Sequence, residues 1–263
     1  MSKNCSIMTR MKSNYENRSK TFLTRRTPVI IRLDGKAFHT YTRGLDKPFD
    51  EGLIEDMEAT TKFLCENIQG VKLGYCQSDE ISLLLIDYET LDTQAWFDYN
   101  VQKMTSISAS MATAKFNELR IVKPFFTEST NYTDSDFMDY NEGYAPFKLA
   151  LFDSRVFNIP KEEVSNYFLA RQKDAVKNSI AMLAQSLYSP KELHKKNQSD
   201  MQELCWQKGH NWNDLNYKKK RGCTIMKIER QLDDGLGNVF RRGKWESIET
   251  PMIFDYGYFK NLI

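Results

Sequence analysis

Proline and glycine are scarce, with 7 and 12 residues in a chain of 263, which excludes collagen-like and low-complexity proteins. Cysteine is scarce too. Cys5, Cys65, Cys76, Cys205 and Cys223 are odd in number, widely spaced and without a CxxC pair. Neither a disulfide framework nor a zinc site is indicated, and reduced thiols, as in the cytoplasm, are expected. No apolar run approaches the roughly 20 residues that span a bilayer, and no signal-peptide core follows the first residues. An excess of one charge is also missing. Lys and Arg number 37 against 35 Asp and Glu, a net charge of +2, so any polyanion must be held by a local patch rather than a global field. No GxSxG and no P-loop occur, which leaves serine-hydrolase and Walker-type NTPase chemistry without a foothold.

What is present is the material of a globular enzyme: 41% hydrophobic and 13% aromatic residues, in a chain long enough to bury a core within one large domain or a domain with an appendage. The N-terminal stretch with Arg10, Lys12, Arg18, Lys20, Arg25 and Arg26 is opposed only by Glu16. A basic, acid-poor leader of this kind keeps mitochondrial import open beside a cytoplasmic location. No internal repeat is found.

Hydrophobic patterning organises the chain. Pro28 to Leu33 is β-branched and apolar and ends at Asp34-Gly35, so it reads as a buried strand. From Phe49 to Ile68 apolar residues recur at helical spacing after an acidic first turn of Asp50 and Glu51. Val71 to Cys76 and Ile81 to Ile86 read as strands, joined by Gln77-Ser78-Asp79-Glu80, a tetrapeptide of hairpin-loop length and composition. A second helix is expected over Val101 to Leu119; its small residues Ser106, Ser108, Ala109, Ser110, Ala112 and Ala114 suggest close packing on a sheet. After an irregular stretch from Thr127 to Tyr144, strand character returns at Phe147 to Ile159. A long helix is expected over Lys161 to Leu187, and Ser189-Pro190 suggests a fresh cap with a helix to about Lys208. Cys223 to Arg230 and Val239 to Trp245 read as strands joined by a turn at Asp233 to Gly237.

The order strand, helix, strand, strand, helix, strand is that of a ferredoxin-like split unit, an α+β fold (βαββαβ) with helical and β-hairpin additions at the C-terminus. In that topology the first and second strands run parallel with the third between them. The end of the first strand and the tip of the following hairpin then share one edge, which brings Asp34 and Asp79 together. Two carboxylates there, one beside a glycine carbonyl, offer the hard oxygen ligands that a pair of magnesium ions needs, with sites left for water and phosphate. Taken alone, Asp34-Gly35 also reads as an ordinary turn and Asp79-Glu80 as an ordinary hairpin tip.

The wording around those residues is more specific. Arg32-Leu33-Asp34-Gly35-Lys36-Ala37-Phe38-His39 and Gln77-Ser78-Asp79-Glu80-Ile81-Ser82 resemble the two signature segments of the tRNA-histidine guanylyltransferase superfamily. The similarity continues through Lys47-Pro48 with Asp50, Phe152-Asp153-Ser154-Arg155-Val156, Ala170-Arg171-Gln172 with Asp174 and Asn178, Asn211-Trp212-Asn213-Asp214 and Lys220-Arg221-Gly222. It runs from about residue 10 to 225 and leaves Ile228 to Ile263 unmatched.

The resemblance implies a polymerase-type palm over residues 1–160, with 161–263 completing the same catalytic unit. It implies Asp34, Asp79 and the Gly35 carbonyl as ligands of two Mg2+ ions, Glu80 as a supporting acid, and the amides from Gly35 through Lys36, Ala37 and Phe38 to His39 as a triphosphate cradle. Lys47, Asp50, Ser78, Lys103, Asn211 and Asn213 are implied near the nucleotide, although Asn211 equally suits a helix cap or turn. ATP or GTP would activate the RNA, NTPs would be added, tRNA would be the partner, and the assembly would be a homotetramer.

One departure bears on substrate choice. Where the eukaryotic histidine-tRNA enzymes carry a His in a motif opening with Asp, this chain reads Asp174-Ala175-Val176-Lys177-Asn178-Ser179, with Val176 in the His position. Val cannot donate a hydrogen bond to an anticodon base. The wording thus sides with the guanylyltransferase-like branch, which repairs 5′-truncated tRNA by template-dependent 3′–5′ addition. Guanylate addition to histidine tRNA, a palm-type nucleotidyl cyclase and a non-catalytic RNA-binding module are the competing readings. Basic clusters at Lys191 to Lys196, Lys218 to Arg221 and Arg241 to Lys244 are candidate phosphate contacts, with Trp206, Trp212 and Trp245 nearby in sequence.

Overall fold

A computed structural model describes residues 6–127, 148–233 and 239–263. A short helix α1 (Ile7–Asn14) precedes strand β1 (Val29–Gly35), the single turn α2 (Phe38–Tyr41) and α3 (Glu51–Asn67). The hairpin β2 (Val71–Gln77) and β3 (Glu80–Leu85) leads to α4 (Val101–Thr127) and then β4 (Phe152–Asn158). The C-terminal part contains α5 (Lys161–Leu187), α6 (Gln198–Gln207), α7 (Tyr217–Arg221), β5 (Cys223–Asp233), β6 (Val239–Ile248) and α8 (Tyr256–Phe259).

The strands form one six-stranded sheet in the order β4-β1-β3-β2-β5-β6, and every neighbouring pair is antiparallel. The first four strands are the split βαββαβ unit. Because β3 lies between them, β1 and β2 run in the same direction, and Gly35 and Gln77 end at one edge. The hairpin β5–β6 adds to β2, so the C-terminal residues extend the same sheet.

Alternation along each strand divides the core. Val29, Ile31 and Leu33 of β1 and Ile81, Leu83 and Leu85 of β3 pack with Met57 and Leu64 of α3 and Met104, Ala112 and Phe116 of α4. On the opposite face Ile30, Leu73, Tyr75 and Leu84 meet Val164 and Phe168 of α5, with Phe254 and Phe259 closing that side. Each fully buried Leu, Ile or Phe contributes about 1.5–3 kcal/mol relative to exposure. The small residues of α4 serve unevenly: Ser108 and Ala112 are buried, whereas Ser106, Ser110 and Ala114 are exposed.

Several element boundaries differ from the sequence reading, among them the ends of β5 and β6, which run on to Asp233 and Ile248. α4 continues to Thr127. The strand expected from Phe147 begins at Phe152, because Ala150 is already held by both ends of the Asn117 side chain; Phe147 itself lies outside the described residues. The helix expected from Ser189-Pro190 begins at Gln198, where Asn197 and Asp200 form a reciprocal capping box, the stronger start signal. The irregular stretch is described only at Thr127, within α4, and the turn only at Asp233, at the end of β5; residues 128–144 and 234–237 lie outside the described residues.

Candidate active site

The site is built where β1 ends. Asp34 stands opposite Glu80 in the β1–β3 ladder and opposite Asp153 in the β1–β4 ladder. The Gly35 amide donates to the Asp79 carbonyl at 3.0 Å, which ties the strand end to the hairpin tip. The tip is tight: Ser78 adopts φ 51°, a left-handed conformation that non-glycine residues take rarely, and its hydroxyl donates to Asp79 Oδ1 at 3.1 Å. Burial raises the Asp79 carboxyl above its ordinary value and the nearby Asp34 charge raises it further, while its backbone and Ser78 hydrogen bonds pull it down.

Glu80 is 6% exposed. Its Oε2 accepts from Arg32 Nη2 at 2.6 Å and from Arg171 Nη1 at 3.3 Å, and Arg171 Nη2 also reaches Asp174 at 2.8 Å. Glu80 Oε1 is buried without a hydrogen-bond partner. Burial raises the Glu80 carboxyl above its ordinary value, against the lowering by the Arg32 and Arg171 guanidinium groups, and the Asp34 charge adds to the rise. Arg32, Arg171 and Asp153 were not singled out as site residues from the sequence. The available signals were the i, i+2 spacing that puts Arg32 on the face of Asp34, and the strand character of Phe152 to Val156. Asp153 is more than half exposed and has Arg155 at 3.3 Å.

After Gly35 the chain turns into α2 through Ala37, which is left-handed at φ 54°. Two of the amides assigned to the cradle are already engaged: Gly35 by Asp79 and Lys36 by the Leu151 carbonyl at 2.8 Å. Ala37, Phe38 and His39 remain in the first turn, where helical amides have no intrahelical acceptor. The Phe38 side chain points the other way, into a cluster with Tyr41, Phe116 and Phe152 at centroid distances of 4.9, 5.7 and 5.3 Å.

The remaining sequence candidates separate. Lys47 is exposed. Asp50 caps α3, accepting from Leu53 N at 2.7 Å, so its carboxylate is occupied structurally. Asn211 caps the short turn Trp212–Asp214, accepting from Asn213 N at 3.0 Å and donating to Asp214 at 3.0 Å, and the Asn213 carbonyl accepts from Lys220 at 2.6 Å. Trp212 ties this turn to Ser179 of α5 at 2.9 Å. Ser179 in turn lines a cavity of about 70 Å3 shared with Ser78, Asn178, Met182 and Lys219. Lys103 is not brought to the carboxylates. It lies in the first turn of α4 beside Asn100, which bridges to Phe22, near the Val29 end of the sheet, about 20 Å from Gly35 at ~3.3 Å per residue.

The donor set fits a hard divalent cation. Mg2+ takes one or two carboxylates and fills its shell with water and phosphate oxygens; Asp34, Asp79 and the Gly35 carbonyl are oxygens of that kind. Among the described residues no group of three or more His, Cys, Asp or Glu side chains is arranged to hold a metal ion. A cation would also relieve the repulsion that Asp34 exerts on Asp79.

A ferredoxin-like sheet edge with two carboxylates beside a tight backbone turn is an arrangement that suits a nucleotidyltransferase, and comparison with known proteins gives that class. The family is shown by comparison: the model for tRNAHis guanylyltransferase, Thg1, matches residues 8–160, and the chain belongs to that family. A bacterial Thg1-like protein solved in complex with ATP is 42% identical, with a TM-score of 0.76 over 97% of this chain and 95% of that one. A bacterial Thg1-like protein in complex with GTP is 41% identical, with a TM-score of 0.73 over 97% and 94%. The tRNA(His) guanylyltransferase of Eremothecium gossypii is 25% identical over 231 residues, 79% of this chain and 89% of its own length. Family membership makes the chain an enzyme of nucleotide addition at the tRNA 5′ end. No helix among the described residues is long and apolar enough to cross a membrane.

Proposed function

We propose that the chain is a template-directed 3′–5′ nucleotidyltransferase, built on a polymerase-type palm, that restores truncated tRNA 5′ ends. The observation that carries this reading is the meeting of Asp34, Gly35 and Asp79 at one strand end. Two magnesium ions held by Asp34, Asp79 and the Gly35 carbonyl would neutralise phosphate charge and align the attacking oxygen.

The chain's own groups bind and orient. The amides of Ala37, Phe38 and His39 receive triphosphate oxygens, with the Phe38 ring anchoring the turn from beneath. Ser78 holds Asp79, and Arg32 and Arg171 hold Glu80. In the first step an oxygen of the RNA 5′ monophosphate attacks the α-phosphorus of ATP or GTP, and pyrophosphate leaves. In the second the 3′ hydroxyl of the incoming NTP attacks the activated 5′ phosphorus and displaces the nucleoside monophosphate. A 5′ triphosphate bypasses the first step and releases pyrophosphate in the second. The ATP and GTP complexes of the bacterial relatives support these nucleotides as activators. Assembly into a homotetramer is part of the same proposal.

The test is addition of NTPs to a panel of 5′-truncated tRNAs, with one arm of labelled ATP alone. Product on RNA, with the added base matching the opposite strand, is the expected result. Cyclic product from ATP without RNA, or no incorporation on any truncated tRNA, would overturn it.

A further inference from the structure

The fold treats the three basic clusters of the sequence differently. In α7, Lys218 pairs with Glu58, Lys219 with Glu51 and Arg221 with Glu249, while Lys220 donates to the Asn213 carbonyl. That cluster is consumed inside the chain. At Lys191 to Lys196 the positive run is interrupted by Glu192, itself held by Ser189. The third cluster is placed otherwise. β5 pairs with β2 from Cys223 to Met226; from Ile228 onward its sole ladder partner among the described residues is β6, with Ile228 opposite Lys244, Arg230 opposite Arg242 and Gln231 opposite Arg241. Alternation puts Arg230, Arg242 and Lys244 on one face of this two-stranded ribbon.

Like charges directly opposite each other destabilise a ladder, so the Arg230–Arg242 pair is an unfavourable arrangement for the isolated chain. Arg230 is relieved by Glu246 at 2.6 Å. Arg241, Arg242 and Lys244 are exposed, and among the described residues none has a carboxylate at ion-pair distance. We propose that this ribbon grips the phosphate backbone of the RNA substrate, away from the reacting end. The proposal rests on the tRNA reading above and adds the surface that holds the RNA. Guanidinium forks match phosphate oxygens two at a time, and a local patch is what a chain with net charge +2 requires for a polyanion. Placement fixes the reach. Cys223 lies level with Cys76 beside the catalytic hairpin, and the strand from there to Arg230 is about 23 Å long at ~3.3 Å per residue. An RNA with its 5′ end at Asp34 touches the ribbon only if it extends at least that far, as tRNA does and a hairpin of a few base pairs does not.

The experiment is salt-dependent binding of a 5′-truncated tRNA, and of a hairpin too short to span that distance, to the parent and to Arg242→Ala/Lys244→Ala, with thermal melting to verify the fold. Each lost phosphate contact lowers the slope of log K against log salt by about 0.7–0.9. The expected result is a slope smaller by about 1.4–1.8 for whole tRNA, with several-fold weaker binding. The short hairpin should bind the two proteins alike. Arg242→Lys/Lys244→Arg, which keeps both charges, should retain the parent slope and serves as the second variant should the alanines disturb the ribbon. An unchanged tRNA slope in the alanine variant, equal losses on both RNAs, or a slope lost in the charge-preserving variant would each overturn the proposal. Binding separates it from the catalytic reading: a parent that binds tRNA through the ribbon yet adds no nucleotide refutes that reading alone.

Discussion

A Cβ added to Gly35 would stand 2.3 Å from Cδ2 of Phe38. The chain leaves β1 and enters α2 so sharply that the Phe38 ring, packed on Tyr41, Phe116 and Phe152, lies directly against the glycine. Gly35 is needed there for space beside a core ring, not for a left-handed backbone. Gly35→Ala should therefore lose stability as an overpacked core does, by about 1–3 kcal/mol, with nucleotide addition falling in parallel as the turn shifts. Thermal unfolding checks this. Parent-like melting with lost NTP binding would instead locate the crowding at the phosphates.

Glu80 joins the sheet to α5 by accepting from both Arg32 and Arg171 on a single oxygen. Its carboxyl pKa is raised by burial, with the Asp34 charge adding to the rise, despite the two cations, so the charged cluster is a weak source of net stability. Removing the carboxylate alone is another matter, since two half-shielded guanidinium groups then lose their shared partner. Glu80→Ala should cost about 3 kcal/mol, whereas Arg171→Ala should cost less, because Arg32 still serves Glu80. Denaturant midpoints for the two variants, compared at one pH, measure the difference. Equal costs would mean that Arg32 and Arg171 are not interchangeable supports.

The strand ends and the approach of Asp34 to Asp79 were legible in the sequence because a β-branched apolar run stopping at Asp34-Gly35, and a four-residue loop at Gln77 to Glu80, are local signals. Topology then did the long-range work. What was not legible depended on partners far away in the chain. Nothing near Glu80 indicates that Arg171, 91 residues later, completes its neighbourhood. Asp50 and Asn211 illustrate the reverse: a short polar side chain before a helical turn is consumed by capping, and resemblance alone does not separate that use from a ligand. Lys103 is carried over from the resemblance alone, and a position in a helix is silent about which end of the sheet that turn of the helix covers.

Asp34→Ala and Asp79→Ala should each remove nucleotide addition by orders of magnitude while leaving the fold intact, since the two groups repel each other and contribute little to the core. Asp79 carries a further sign. Its folded pKa is raised above 3.8, so ionising it costs stability, a cost absent below the unfolded value and fully present above the folded one. In metal-free protein the parent should lose stability as pH rises from about 3.8 through the folded value, and Asp79→Asn should lack that loss and be at least as stable at pH 7. Urea midpoints against pH, with chelator present, test it. A parent-like pH profile in Asp79→Asn, or near-normal magnesium-dependent activity in both alanine variants, would remove the carboxylate assignment.

Val176 is half-buried on α5, one residue from Ala175 and three from Ser179, which line the cavity beside Ser78. It offers no hydrogen bond to a base. With a net charge of only +2, the proposed template-directed activity would draw its affinity from local phosphate contacts and tRNA shape, and its choice of nucleotide from pairing with the opposite strand. Selection by anticodon would then be weak. Replacing a histidine anticodon by another in an otherwise identical 5′-truncated tRNA should change kcat/KM by less than about tenfold, or 1.4 kcal/mol, and the Watson–Crick-matched nucleotide should be added in each case. The comparison belongs at one fixed salt concentration, because phosphate contacts weaken steeply with salt and would mask or mimic a specificity difference. A preference above about a hundredfold for the histidine anticodon, or ~2.7 kcal/mol, with G added whatever the opposing base, would mean that another residue replaces the missing His and that the chain acts on histidine tRNA alone.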